Sequence, residues 1–221
     1  MTVEKFDNNK KFLRVVGGNL VESSNEKNPE SVRREFTDKK GVTKVYYDIP
    51  YKNVSGKLQK LKLRDTNFGE ILDVVFEEEI VSLGLNSRFF QQFMQKIPNA
   101  DLNEKIMLSP YDFKDSKEKQ IKGLTISQKS GKLENFYYDK ETKQTINGFP
   151  EPEGEPKAYS KDDWKLYFLL VTKFLKNKVE KINEKLEEIH NEEVATAPEE
   201  EAIIADVPED KEELKTEDVP V

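Results

Sequence analysis

The sequence predicts a mainly β domain, followed by one long helix and an acidic tail. Three observations carry that reading. Apolar and polar residues alternate with period two in several runs up to residue 139, as half-buried strands require. The period turns helical only at 87–97 and again after 160. Charge also separates along the chain: residues 187–221 hold fourteen Asp and Glu against Lys211 and Lys215, a net of -12. Residues 1–186 hold 34 basic and 29 acidic side chains, a net of +5.

A chain of 221 residues suits one folded domain with extensions, or two small domains. There is no cysteine, which excludes disulfides and thiolate zinc sites. No apolar run approaches about 18 residues and no charged-then-apolar leader opens the chain, so a cytoplasmic protein with no membrane partner is expected. The single histidine, His190, allows no histidine pair and no Ser-His-Asp constellation. It reads as a solvent-facing residue near a helix C-terminus. Gly17-Gly18 lacks the lysine and following helix of a phosphate loop, and the consecutive carboxylates Glu77-Glu78-Glu79 fan outward rather than converge. No catalytic residue, metal site or cofactor is indicated, and the chain is not read as an enzyme.

Taken in order, residues 1–10 are polar and expected to fray. Phe12 to Val16 is the first strand, closed by Gly17-Gly18, and 22–31 reads as a loop. Arg33 to Thr37 and Val42 to Ile49, broken at Asp38-Lys39-Lys40-Gly41, read as a hairpin. Asn53 to Gly56 reads as a turn. In Lys57 to Thr66, Leu61 and Leu63 alternate with Lys60, Lys62 and Arg64, which places a row of cations on one face. Phe68 to Glu77 is a strand with a bend at Gly69. Ser87 then caps a helix whose apolar face is Phe89, Phe90, Phe93, Met94 and Ile97, and Pro98 stops it. Strands resume at Glu104–Ser109, Gln120–Gln128 and Lys132–Asp139.

Residues 147–157 hold three prolines and two glycines, the composition of a linker. Ser160 caps a second helix, with Asp162 and Asp163 where the helix dipole favours anions. Its stripe is Trp164, Phe168, Val171, Leu175, Val179, Ile182, Leu186 and Ile189. The aromatic end is expected to pack on the β domain, with the distal half unattached or pairing in a homodimer. Pro198, Pro208 and Pro220 among acids mark disorder beyond it. The order of elements fits an oligonucleotide-binding (OB)-like β-barrel with one inserted helix, with a β-sandwich as the rival. The divisions are 10–146 for the β domain, 147–159 for the linker, 160–190 for the helix and 191–221 for the tail.

The stretch from Lys10 to Arg64 has fourteen Lys and Arg against six acids, interleaved with Phe36, Tyr46, Tyr47 and Tyr51. Cations that track phosphates and flat rings that stack on bases are the means by which proteins hold single-stranded nucleic acid. Arg33, Arg34, Lys44, Lys52, Lys60, Lys62 and Arg64 are the candidate phosphate contacts. Tyr46 or Tyr47, Tyr51 and Phe68 are the candidate stacking rings. Tyr111, Phe113, Phe136, Tyr137 and Tyr138 form a second cluster that would extend the surface. Rings of this kind are also ordinary core residues of a β domain, and neighbours such as Tyr46-Tyr47 and Tyr137-Tyr138 must point to opposite faces.

A β domain rich in Lys and Tyr, followed by an acidic tail tipped Asp218-Val219-Pro220-Val221, resembles single-stranded DNA-binding proteins. The tip is similar to the acidic-aliphatic-Pro-aromatic ending of the bacterial members but has Val at the last position. The body is more similar to the members encoded by tailed phages, in the stretches Ile97-Pro98-Asn99-Ala100-Asp101-Leu102, Leu108-Ser109-Pro110-Tyr111-Asp112-Phe113, Lys122 to Gln128, and Phe136-Tyr137-Tyr138-Asp139. The resemblance implies sequence-tolerant binding and protection of single-stranded DNA in replication or recombination, within the host cytoplasm if phage-encoded. It also implies a tail that competes for the DNA groove and recruits a polymerase, helicase or primase through Asp218, Val219, Pro220 and Val221. The reading from another class is a virion-associated or adaptor protein that acts through its helix and tail without DNA.

Overall fold

The computed structural model describes residues 10–37 and 41–196. The readings made for residues 1–9, for the break at 38–40 and for the tail from 197 onward, including its tip, fall outside the described residues. The chain is mainly β with a long helical segment at the C-terminal end of the described part.

Strand β1 (Lys11–Val16) turns at Gly17-Gly18 into β2 (Asn19–Ser24), and β3 (Val32–Thr37) pairs with β4 (Thr43–Tyr51) as the sequence predicts. The expected loop at 22–31 begins only after Ser24, because β2 pairs on both edges, with β1 and β4. Gly18 sits at φ +76°, and a Cβ there would collide with the backbone of Tyr111 and Asp112. The turn thus presses directly onto a later strand.

The expected turn at 53–56 is instead a strand, β5 (Val54–Gly56). One residue later it continues as β6 (Leu58–Thr66). These are two halves of one bent strand, and Gly56 at the corner lets the Phe76 side chain approach, its Cβ to 3.3 Å and its ring to 3.4 Å of where a Cβ would stand. Next come β7 (Gly69–Phe76) and β8 (Glu79–Gly84), the second of which has no counterpart in the sequence reading. Helix α1 (Arg88–Lys96) begins where predicted, with the Ser87 hydroxyl accepting from the Phe90 amide at 3.2 Å. The chain then forms β9 (Ile106–Lys114) and β10 (Gln120–Gln128). The strand expected at 132–139 is reduced to two-residue ladders: β11 (Gly131–Lys132), and β12 (Tyr138–Asp139) with β13 (Gln144–Thr145).

The larger sheet runs β3-β4-β2-β1-β8-β7-β6 and the smaller β11-β10-β9-β5. The bent strand belongs to both. All described pairings are antiparallel except β1 with β8.

The expected barrel is not closed among the described residues. Closure needs every strand edge to meet another strand. β8 has both edges taken, by β7 and by the N-terminal β1. Helix α1 serves β10 in place of a strand: Gln92 Oε1 accepts from the Leu124 amide and Lys96 Nζ donates to the Leu124 carbonyl, each at 2.5 Å. Gly123 makes room for this, since a Cβ there would run into the Gln92 amide and the Tyr111 ring. Burial of Lys96 depresses its pKa, partly countered by Glu134.

Ser160 caps α2 (Lys161–Lys176) in a reciprocal capping box with Asp163. The helix is interrupted at Asn177-Lys178 and resumes as α3 (Val179–Thr196), six residues beyond the expected boundary at 190. The proximal half packs on the β domain as expected, with Tyr167 and Phe174 against the core, but the distal half is not unattached. The distal part is anchored as well: Val179, Ile182 and Leu186 are buried against the sheet edge. There Asn183 accepts from the Leu61 amide and donates to the Leu61 carbonyl, both at 2.8 Å. It satisfies both backbone groups of an edge strand. The proximal end buries only Val171 and Leu175, while Trp164 packs against Tyr159, Tyr167 and Phe168. Within 147–159, Phe149 packs on Tyr137 and Phe174, and the Pro150 carbonyl accepts from the Tyr167 hydroxyl. Among the described residues no helix is long and apolar enough to cross a membrane.

Candidate nucleic-acid interface

From the larger sheet, the core takes Leu13, Leu20, Leu58, Leu61, Leu72, Val74, Phe76, Val81 and Leu83. Strand register puts all of these on one face. The other face, outside that core, can be read row by row. Lys62 pairs with Asp73, Asp73 with Ser82, Ser82 with Arg14, and Arg14 with Val21. Lys60 pairs with Val75, Val75 with Ile80, and Ile80 with Phe12. Arg34 pairs with Tyr46 and Phe36 with Lys44.

Extending the alternation along each strand sorts every charge in the seven strands. The outer face carries Arg14, Arg34, Lys44, Lys60, Lys62 and Arg64 against Asp48 and Asp73, a net of +4. The core-side face carries Lys11 and Arg33 against Glu22, Glu35, Asp65, Glu70 and Glu79, a net of -3. All four glutamates of the sheet are thus on the face that holds the core. With strands about 4.8 Å apart, seven of them make the outer face about 29 Å wide.

The two aspartates of the outer face are buried, Asp48 to 9% and Asp73 to 4% exposure. Each organises arginine and serine around it. Asp48 accepts from Arg34 Nε and from the Ser23 hydroxyl, both at 2.7 Å, and from Arg14 Nη2 at 3.2 Å. Asp73 accepts from the Ser82 hydroxyl at 2.6 Å and from Arg64 Nε at 2.9 Å. Burial alone would raise the Asp48 pKa. The Ser23 and Arg34 hydrogen bonds and the charges of Arg14 and Arg34 outweigh it, and the carboxyl is held below its ordinary 3.8. Each carboxylate fixes one side of a guanidinium and leaves the remaining donors directed elsewhere. Arg34 also lies over the Tyr46 ring, 5.0 Å from its centroid.

The structure gathers six of the predicted residues on this face: Arg34, Lys44, Tyr46, Lys60, Lys62 and Arg64. It separates the others. Arg33 and Tyr47 are cross-strand partners on the opposite face, and Arg33 is ion-paired with Glu35. Tyr51 packs beside the core, with its hydroxyl donating to Glu22 at 2.9 Å and Lys11 over its ring. Lys52 is exposed in the segment after β4, and Phe68 stands 94% exposed at the β6–β7 turn. No member of the second aromatic cluster belongs to the seven strands of this face. Tyr137 is buried among Phe136, Phe149 and Phe174, with Tyr138 on the exposed side, and Tyr111 packs against Phe113 and under Gly123.

Sequence reasoning missed Arg14 and Phe12, which stand at the centre of the face, and did not select Phe36. Phe12 and Phe36 are each 45% exposed. The signal was the alternation within Phe12-Leu13-Arg14-Val15-Val16, where the charged residue sets the outward positions at 12, 14 and 16. Asp218, Val219, Pro220 and Val221 fall outside the described residues. No family model, curated protein or solved structure matches the chain.

Proposed function

We propose that the protein binds single-stranded nucleic acid, DNA in the first instance, on the outer face of the seven-stranded sheet. One observation carries this: register segregates the sheet's charge, +4 on the outer face and -3 on the core side, with three rings among the outer cations. A merely solvated face needs both signs interspersed and gains nothing from apolar rings. A strand of nucleic acid uses both features: phosphates meet Arg14, Arg34, Lys44, Lys60, Lys62 and Arg64, while bases stack on Phe12, Phe36 and Tyr46. Binding of this kind tolerates sequence, which suits protection of exposed strands during replication or recombination. The acidic tail then acts as an internal competitor for the same face and as a handle for replication proteins.

The OB-like reading of the fold belongs to the same proposal. The bent strand shared by two sheets and the helix placed before the β9–β10 hairpin support it. The occupied edges of β8 and β10 make it an open variant.

The test is titration of a labelled oligo-dT across a salt series. Log affinity should fall with log salt at about 0.7 per phosphate contact. Absence of binding at low salt overturns the proposal and favours the adaptor reading.

A further inference from the structure

We propose that the outward side of α2 is a homodimer seam, in which two copies of the helix pair antiparallel about a two-fold axis. At about 100° per residue, the buried Val171 and Leu175 define the inner side of α2. Leu166, Leu169 and Leu170 project from the opposite side, 62%, 52% and 57% exposed. Phe168, 47% exposed and stacked on Trp164, belongs instead to the inner stripe with Val171 and Leu175. One exposed leucine is ordinary. Three within two successive turns, on the side of a helix that faces away from its own core, form a patch that asks for a partner.

The order of charges says which partner. Along the seam the residues run Asp162, Leu166, Leu169, Lys173, an acid at one end and a base at the other. A two-fold interface must be complementary to itself. Antiparallel pairing sets Leu166 against Leu169 of the partner subunit and Asp162 against Lys173 of the partner subunit. The axis repeats both contacts. Parallel pairing would instead oppose like charges. Asp162 and Lys173 are exposed and neither is ion-paired among the described residues. Packed helix axes lie about 8–10 Å apart, within reach for both pairs. An anionic membrane gains nothing net from this line, since it attracts Lys173 but repels Asp162, whereas a second copy satisfies both. The seam does not depend on nucleic-acid binding, because α2 is not part of the outer sheet face.

The experiment is sedimentation of the full chain from about 1 to 100 μM, alone and with vesicles of zwitterionic and of anionic lipid. The wild type should dimerise within that range. Leu166→Asp should sediment as a monomer. Asp162→Lys and Lys173→Asp should each weaken the dimer by on the order of tenfold or more, since each breaks two pairs and opposes like charges. The double variant restores the pairing with its sense reversed and should return to within a few-fold of wild type. Circular dichroism and thermal unfolding verify that each variant is folded, and these positions are exposed in the monomer. A wild type that stays monomeric at 100 μM overturns the seam. So does a dimer untouched by Leu166→Asp, single charge reversals that the double variant fails to rescue, or vesicle binding without dimerisation.

Discussion

Arg14 reaches across an intervening strand to Asp48. β1 and β4 are not neighbours, yet Arg14 Nη2 stands 3.2 Å from the carboxylate, with the Ser23 hydroxyl of β2 bonded to both. Arg34 completes the arrangement from β3. Four strands are thereby tied on the side of the sheet that has no core behind it. Asp73, Ser82 and Arg64 repeat the device across β7, β8 and β6. A sheet with one open face needs such ties, because apolar packing holds only its other side. The same ties position guanidiniums for use.

Replacing Asp48 with Asn tests that role. The hydrogen bonds it accepts are charge-assisted, and such bonds contribute about 1.5–3 kcal/mol. Asn keeps the shape, so a loss of about 1–3 kcal/mol at neutral pH is expected, measured by denaturant unfolding. Its pH dependence has a fixed sign. Asp48 is held below its ordinary 3.8, so its folded-state advantage is fully present above the unfolded value. That advantage fades as pH falls below about 4, through the depressed folded value. The gap between wild type and variant should be constant from pH 5 to 7 and shrink toward pH 3.

A matched pair of variants separates the two faces of the sheet. Lys60→Ala, Lys62→Ala and Arg64→Ala combined should weaken oligo-dT binding and lower the salt slope by up to about 2, near 0.7 for each phosphate left without its cation. Arg33→Ala removes a cation from the same basic stretch of sequence but from the opposite face. Its affinity and slope should match wild type. Equal effects from the two would mean that charge acts without regard to the face.

Stacking leaves a different signature. Phe12→Ala should cost about 1–3 kcal/mol of binding with the salt slope unchanged. Phe12 is 45% exposed and lies outside the core cluster, so stability should change much less than binding does. Phe36→Ala should behave alike, and Tyr51→Ala should instead lose stability, since that ring packs beside the core.

Much of this was legible in the chain. The alternation of Leu61 and Leu63 with Lys60, Lys62 and Arg64 was enough to place the cation row, and Leu61 is buried as it demanded. The caps at Ser87 and Ser160 were equally plain. β1 hid its outward face because Phe12 and Val16 are apolar, and a strand at the centre of a half-open sheet can carry apolar residues on both sides. β8 was obscured by Glu77-Glu78 before it, Glu79 at its start and Gly84 at its end. Barrel closure was not legible at all. It depends on which strand edges are already satisfied, and Gln92, Lys96 and Asn183 do this from helices distant in sequence.

Asn183 gives the most direct test of that edge protection. Asn183→Ala leaves the Leu61 amide and carbonyl unpaired beneath a helix, where each unsatisfied group costs about 1–3 kcal/mol. The denaturant midpoint should fall with the slope of the transition unchanged. Binding to oligo-dT, measured below the unfolding range, should be unaffected, because Asn183 meets the backbone of β6 and not its outward row.

The tail carries the last prediction, and the structure sharpens where to cut. α3 runs to Thr196, so truncation should begin at residue 197; a cut at 191 would remove helix as well as tail. Residues 197–221 hold ten acids against Lys211 and Lys215, a net of -8, twice the +4 of the outer sheet face and opposite in sign. Fully extended, twenty-five residues span at most about 85 Å, about three times the width of that face. A tethered polyanion competes at the high effective concentration its linker sets. Removing 197–221 should therefore tighten oligo-dT binding at low salt, with the gain shrinking as salt screens the tail. In the same salt series, the truncated chain should show a steeper fall of log affinity than the full chain. Identical curves would leave the acidic segment without a role at the sheet and restrict it to the recruitment of partners.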